Sequence, residues 1–539
     1  MSMFCYQCQE TKNNEGCTVK GVCGKEPEVA LLEDQIIRAL KRLSVYAHAA
    51  SKAGQSNKKL DEFILKSIFT TVTNVNFDPT ALKEYIQEIL NWQEVVSSWP
   101  EISGVVGPPN EDLDTFLADV DSSKIILRWE EVGEDITSLQ ELLVYGIKGM
   151  AAYAYHALML GKETKGVASF VYKAFSYLYQ KDQKLEELIA LCMECGEVNY
   201  NVMETLDRAN TDSYGHPEPT EVNMRPVVGK CLLVSGHDLK DLEEILKQTA
   251  GKGINVYTNG EMLPAHAYPE LKKYRHLVGN YGGAWYKQTR EFDKFPGPIV
   301  MTSNCIQKPK ASYIDRIFTC GPVGWPGVKH LDTHDYSAVI EKALECEGFT
   351  EDEPAKKIIV GFAHNTVLSV ADKVIEAVQE GALKHIFLVG GCDGHSNERE
   401  YYNEFTKAVP DDALILTLGC AKYRFHENEF GDIGGIPRLL DMGQCNDAFS
   451  AIKVASALAE AFDTDVNSLP LTLNISWYEQ KAACILLTLL HLGIKNIHLG
   501  PTLPAFLSPT VLGYLVENFQ ISPISTVEAD LEKMLPASV

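Results

Sequence analysis

The chain has 539 residues, 45% hydrophobic and 23% charged, enough for several packed cores at roughly 150 residues per domain without disulfide staples. Its formal net charge of −24 argues against a nucleic-acid partner, because phosphate binding needs a concentration of Lys and Arg that no stretch supplies. No basic and apolar leader pattern precedes Cys5, and no apolar run reaches about 18 residues, so a cytoplasmic protein without a membrane span is expected. In that reducing compartment the 14 cysteines are expected as metal ligands, redox thiols or small core residues.

The first motif is "CYQCQETKNNEGCTVKGVC", which places Cys5, Cys8, Cys17 and Cys23 at C-x2-C-x8-C-x5-C spacing around a loop rich in glycine and asparagine. A short C-x2-C brings two sulfurs to one centre, and a compact glycine-bearing loop wraps the other two around it. The spacing favours an iron-sulfur cubane serving as an electron entry port. Zinc remains a rival, although structural zinc sites usually pair two short knuckles, and redox thiols are a third option.

From about Glu28 to Tyr214 the pattern is helical. "EVALLEDQIIRALKRLSVYAHAA" puts Val29, Leu32, Ile36, Leu40 and Leu43 on one face. "LDEFILKSIF", "PTALKEYIQEILNWQEVV", "SLQELLVYGIKGMAAYAYHALML", "ASFVYKAFSYLY" and "KLEELIALCMECGEVNYNVMETL" continue it, and about six such helices make one or two bundles. After the turn-rich "NTDSYGHPEPTEVNMRP" the texture changes to short β-branched runs: "KCLLVSG", "INVYTNG", "PIVMTS", "RIFTCG", "KIIVGF", "HIFLVGG", "ALILTLG", "LTLNISW" and "NIHLG". Amphipathic stretches lie between several of them, which predicts parallel sheets covered by helices. The expected division is a helical region over 1–225 and two α/β domains over 226–362 and 363–539.

In parallel α/β sheets, binding sites form at the carboxyl ends of strands. His237, Glu261, Cys305, Cys392 and Cys420 each follow an apparent strand, Cys445 precedes a helix, and Glu479 follows "LTLNISWY". Each alone has an ordinary structural explanation as packing, cap or surface residue. Together, one histidine, two glutamates and four cysteines at equivalent topological positions suit a cluster bridged by both sulfide and oxygen, since thiolates favour the former and carboxylates the latter. Cys192 and Cys195 sit in a helical segment and read as core packing; Cys231 and Cys320 within or at the end of strands, Cys346 on a charged helix and Cys484 in an apolar stretch read as structural. The "GGCDGH" loop lacks both the P-loop and the dinucleotide fingerprints, which argues against direct NAD use.

The motifs "FCYQCQET", "LLVSGHDL", "TNGEMLPAHAYPEL", "GNYGGAW", "TSNCI", "VGGCDG", "LGCAKYRF" and "SWYEQKA" resemble the hybrid cluster protein family, also called hydroxylamine reductases or prismane proteins, along the full length. The resemblance implies a helical-bundle amino-terminal domain followed by two Rossmann-like parallel α/β domains. It implies a 4Fe-4S cubane on Cys5, Cys8, Cys17 and Cys23. It further implies a hybrid 4Fe-2O-2S cluster on His237, Glu261, Cys305, Cys392, Cys420, Cys445 and Glu479, with Cys392 able to carry an extra sulfur. Lys481 is expected near the site as a proton donor, alongside Glu261 and Glu479. The expected activity is reduction of small nitrogen oxides, hydroxylamine to ammonia and water or nitric oxide to nitrous oxide. Because no flavin or nicotinamide motif is visible, an external reductase, ferredoxin or rubredoxin-like carrier is the expected electron donor. Two other classes remain open: a carbon monoxide dehydrogenase-like nickel enzyme, and a non-catalytic electron store or nitrosative-stress sensor.

Overall fold

A computed structural model describes residues 3–121 and 124–535. Six long helices come first: α1 Pro27–Lys52, α2 Lys58–Phe69, α3 Pro79–Ser97, α4 Glu134–Met159, α5 Val167–Tyr179 and α6 Leu185–Tyr214. Their ends follow local chemistry. Pro27 opens α1 where a missing N–H costs nothing, Asn57 caps α2 by accepting from the Leu60 N–H at 3.2 Å, and Gly215 at φ 82° stops α6. The predicted face of α1 (Val29, Leu32, Ile36, Leu40 and Leu43) is buried. Two short helices, Leu113–Ala118 and Ile125–Val132, were not expected, being too short to show a full helical period. The second positions Trp129 against Phe4 and Tyr6, with ring centroids 5.2 and 5.8 Å apart, and so braces the cysteine-bearing amino-terminal loop.

Two six-stranded sheets follow. The first contains β1 Lys230–Ser235, β2 Ile254–Asn259, β3 Leu277–Asn280, β4 Ile299–Met301, β5 Ile317–Cys320 and β6 Lys329–Leu331. The second contains β7 His385–Gly391, β8 Ala413–Thr417, β9 Leu439–Asp441, β10 Leu471–Ser476, β11 Ile497–Gly500 and β12 Ser522–Pro523. All pairings within both sheets are parallel. The strand orders are β3-β2-β1-β4-β5-β6 and β9-β8-β7-β10-β11-β12, so the chain reverses its direction of travel between β1 and β4 and again between β7 and β10. The central strands are buried nearly throughout, as sheets covered on both faces require.

The "KIIVGF" run departs from the expected alternation of parallel strands. Its strand, Lys357–Val360, pairs antiparallel with Thr220–Asn223 in a separate two-stranded ribbon, and its exposed-buried alternation fits that half-covered setting. The short strands β3, β6, β9 and β12 were not anticipated. Among the described residues, no helix is long and apolar enough to cross a membrane.

The helical region and the second sheet share one apolar core. One face of the first sheet packs against Phe69, Val72 and Tyr155 of the helical region, and the other against α7 Leu239–Thr249. On the second sheet α8 Ala448–Ala461 and α9 Gln480–His491 cover the face toward the helices. Small residues let α9 approach α4 and α6 closely: a Cβ on Gly149 would stand 2.7 Å from Cys484 Sγ, and one on Gly196 would collide with the Leu487 carbonyl. This packing fixes the start of α9, and with it Glu479 and Lys481.

His385 on β7 contacts Thr472 Oγ1 through Nε2 at 2.9 Å, and burial pushes its pKa down to about 4. The unfolded imidazole protonates near pH 6.5, so the native state loses stability as pH falls from about 6.5 toward 4 and is unaffected by this group above that window. Urea midpoints of the wild type and His385→Gln should therefore converge as pH falls from 7 to 5. A constant separation would contradict a neutral buried imidazole.

Candidate functional site

The amino-terminal loop is closed by an antiparallel bridge in which the Cys5 N–H donates to the Cys17 carbonyl at 3.1 Å and the Cys17 N–H to the Cys5 carbonyl at 2.8 Å. Asn13 and Asn14 take left-handed φ values of 57° and 55° between them, a conformation asparagine tolerates better than most residues. Cys8 and Cys17 are buried, and Cys5 and Cys23 are partly covered. Burial pushes the Cys5 thiol up to about 12 against the pull of Lys25, and raises Cys8 further, with negative charge on Cys23, Cys5, Glu10 and Cys17 acting in the same direction. Four thiols this close cannot ionise together without a cation, and a multi-iron centre supplies one. This donor set therefore fits an iron-sulfur cluster.

The strand ends build a second set. His237 lies beyond β1, Glu261 beyond β2, Cys305 beyond β4, Cys392 beyond β7, Cys420 beyond β8, Cys445 beyond β9 and Glu479 beyond β10. All seven line one cavity of about 30 Å³, together with Asn304, Trp285 and Tyr478. The carboxyl edges of the two sheets thus converge, and both points of reversal contribute: His237 and Cys305 from the first sheet, Cys392 and Glu479 from the second.

Donor atoms of His237, Glu261 and Cys445 lie within 4.8 Å of one another, and His237 Nε2 is 3.6 Å from Glu261 Oε2. Each is oriented from behind. His237 Nδ1 contacts Ser303 Oγ at 2.7 Å, which leaves Nε2 toward the cavity. Glu261 Oε2 accepts the Cys445 N–H at 2.7 Å, and the Gln444 amide donates to the His237 and Glu261 carbonyls at 3.0 and 2.8 Å. Glu479 caps α9, accepting the Lys481 N–H at 2.8 Å, and also accepts from Asn304 Nδ2 at 3.3 Å.

Lys481 is 1% exposed, and its Nζ lies 3.0 Å from His237 Nε2, 2.6 Å from Asn304 Oδ1 and 3.6 Å from Glu479 Oε1. Burial works against its charge, but Glu479, Cys445 and Cys305 outweigh that and hold the ammonium. Burial, then Lys481, keeps His237 neutral, the state in which imidazole ligates metal. Burial raises Glu261 and all four thiols, Cys392 to about 12. A single ammonium cannot balance so many donors once they ionise, whereas a polynuclear iron-sulfur centre can.

Sequence reading missed several supporting residues. Tyr153 on α4 donates to Cys445 Sγ at 3.1 Å. Trp285 and Tyr478 pack at a tilt with ring centroids 4.5 Å apart beside the cavity, and the Gln9 N–H donates to the Tyr478 carbonyl at 2.9 Å, linking the two cysteine sets. Tyr478 and Trp285 lay within quoted motifs, but nothing near Tyr153 marks it as more than core. Cys192, Cys195, Cys231 and Cys320 are buried outside both sets, Cys484 is buried behind the second set with its thiol 3.1 Å from the Lys481 carbonyl, and Cys346 is partly exposed. A second, apolar cavity of about 240 Å³ runs beside the second sheet and reaches Cys392, Cys445 and Lys481.

Helices joined to two parallel sheets whose carboxyl edges enclose thiols, imidazole and carboxylates define a protein of mixed helical and α/β class with a candidate metal site. The Prismane/CO dehydrogenase family model matches residues 3–532, and the chain belongs to that family. It is 53% identical to a hydroxylamine reductase from Methanocella arvoryzae over 99% of this chain and 100% of that one, and 52% identical, with the same coverage, to a hydroxylamine reductase from Geobacter metallireducens. Its fold is similar to carbon monoxide dehydrogenase IV from Carboxydothermus hydrogenoformans, with a TM-score of 0.57 at 16% identity over 98% of this chain and 92% of that one. A nickel-free carbon monoxide dehydrogenase from Thermococcus sp. AM4 gives a TM-score of 0.56 at 16% identity, over 98% of this chain and 90% of that one.

Because Ser303 fixes the His237 ring, Ser303→Ala should weaken Co(II) binding to cluster-free protein by about 10- to 100-fold in a spectroscopic titration. Unchanged affinity would mean that His237 needs no such support.

Proposed function

We propose that the chain is an iron-sulfur oxidoreductase that reduces hydroxylamine to ammonia and water. The observation that carries this reading is the convergence of seven sulfur, nitrogen and oxygen donors on one cavity beside the Lys481 ammonium. Relatives about half identical over their full length and named hydroxylamine reductase support it. In this reading Cys5, Cys8, Cys17 and Cys23 hold a 4Fe-4S cubane, and His237, Glu261, Cys305, Cys392, Cys420, Cys445 and Glu479 hold a hybrid 4Fe-2O-2S cluster, with Cys392 as the site of any extra sulfur. The chemistry a hybrid cluster supplies when bound is electron storage and Lewis acidity. The overall reaction breaks the N–O bond and consumes two electrons and two protons.

The chain's own part is to bind, orient and protonate. Lys481 holds a proton at Nζ where the apolar cavity meets the donor set, and it is the proton source beside the leaving oxygen. Glu261 and Glu479 share that ammonium as counter-charge and act as proton carriers. Cys392, one residue past β7 and on the walls of both cavities, presents its sulfur where substrate arrives. An external reductase, ferredoxin or rubredoxin-like carrier delivers electrons at the amino-terminal cysteines, in the cytoplasm. The domains of this reading are a helical region over 1–225 and Rossmann-like units over 226–362 and 363–539.

The apolar cavity favours a second substrate at the same site. A neutral diatomic gas partitions into apolar space, whereas hydroxylamine prefers water, so reduction of nitric oxide to nitrous oxide fits an approach past Cys392 and Cys445.

Replacing Glu261 by Gln keeps its shape and removes its charge. Turnover of hydroxylamine should fall by about 100-fold or more, measured alongside iron per chain. Full activity with full iron would remove Glu261 from the chemistry.

A further inference from the structure

We propose that Tyr153 is a positioning residue for the metal site, holding Cys445 Sγ by a hydrogen bond that stabilises the thiolate and raises the site's reduction potential. The inference rests on the reading of Cys445 as an iron ligand. Tyr153 lies on α4, 292 residues from Cys445 in sequence, and is fully buried at 0% exposure. Its hydroxyl donates to Cys445 Sγ at 3.1 Å, deep in the interior. A buried phenol needs a partner, because an unbonded hydroxyl in an apolar setting costs free energy that a phenylalanine of nearly the same volume avoids. A neutral thiol is a weak acceptor and a thiolate a strong one. A buried hydroxyl aimed at this sulfur is therefore well matched to an ionised Cys445.

The surrounding packing fixes the contact. Gly146 and Gly149, two turns and one turn before Tyr153 on α4, face Leu487 and Cys484 of α9, and the closeness of the two helices carries the phenol to the cavity wall. Cys445 is held from its other side through its own N–H, which donates to Glu261 Oε2 at 2.7 Å. Tyr153 thus holds the sulfur from the helical region, while Glu261 holds the Cys445 backbone from the first α/β half. A hydrogen bond to a ligating thiolate draws electron density from the metal and favours its reduced state, which makes the potential less negative.

The test uses anaerobically purified full-length protein with both clusters loaded, as wild type, as Tyr153→Phe, and with 3-fluorotyrosine in place of Tyr153. Iron per chain and an EPR-monitored redox titration are read for each. Tyr153→Phe should keep its iron, shift the potential of the strand-end cluster to more negative values and leave the potential of the cluster on Cys5, Cys8, Cys17 and Cys23 unchanged. Fluorotyrosine is a stronger donor of similar shape, and should shift the same potential in the opposite direction. If Tyr153→Phe fails to load iron, the fluorotyrosine protein decides the matter by the sign of its shift. Full iron with unchanged potentials overturns the role of Tyr153 alone. Absence of iron from the strand-end site of the wild type overturns the reading of the site, and this role with it.

Discussion

Burying ionisable groups is costly unless something opposite in charge shares the space, and this constraint governs the centre of the molecule. Seven potential ligands face a cavity of about 30 Å³, and burial shifts His237, Glu261 and all four thiols toward their neutral forms. Lys481 is the ammonium placed among them, held chiefly by Glu479. One such charge orients the donors without neutralising them. An iron-sulfur centre at these donors would supply the remaining charge, which would make the architecture and such a cofactor parts of one electrostatic balance.

That balance requires rigid placement, which the fold provides by symmetry of position. Both sheets have the same strand order, and both send their first and fourth strands to the cavity. Side chains on strand ends inherit the stiffness of the sheets, and hydrogen bonds behind them, from Ser303 to the His237 ring, Gln444 to the Glu261 carbonyl and Asn304 to the Glu479 carboxylate, fix their placement. The helical region adds what the sheets lack. It packs α4 against the start of α9, and it carries the amino-terminal cysteine loop, joined to Tyr478 through the Gln9 N–H.

The sequence made much of this legible because the signals were local. A β-branched run followed by glycine and a sulfur or carboxylate residue marks a strand end, and Glu261, Cys392 and Cys420 each carry that mark. The amino-terminal spacing was similarly readable, although spacing alone left zinc open. What escaped depends on distant contacts. Strands β3, β6, β9 and β12 span two to four residues, too few for a period to show, and β3 is further disturbed by a register shift at Val256 and Tyr257 on its neighbour. The Lys357–Val360 run looked like the other strands, and only its antiparallel partner distinguishes it. Tyr153 sits in an apolar helical stretch where a tyrosine is ordinary core, and its meaning comes from a sulfur 292 residues away.

The most direct measurement is iron, nickel and zinc per chain on protein purified without oxygen. About eight irons with neither nickel nor zinc is the expected result, since two donor sets of this kind each suit a four-iron centre. Stoichiometric nickel would contradict the account in favour of carbon monoxide chemistry, and about four irons would show that one of the two donor sets has been misread.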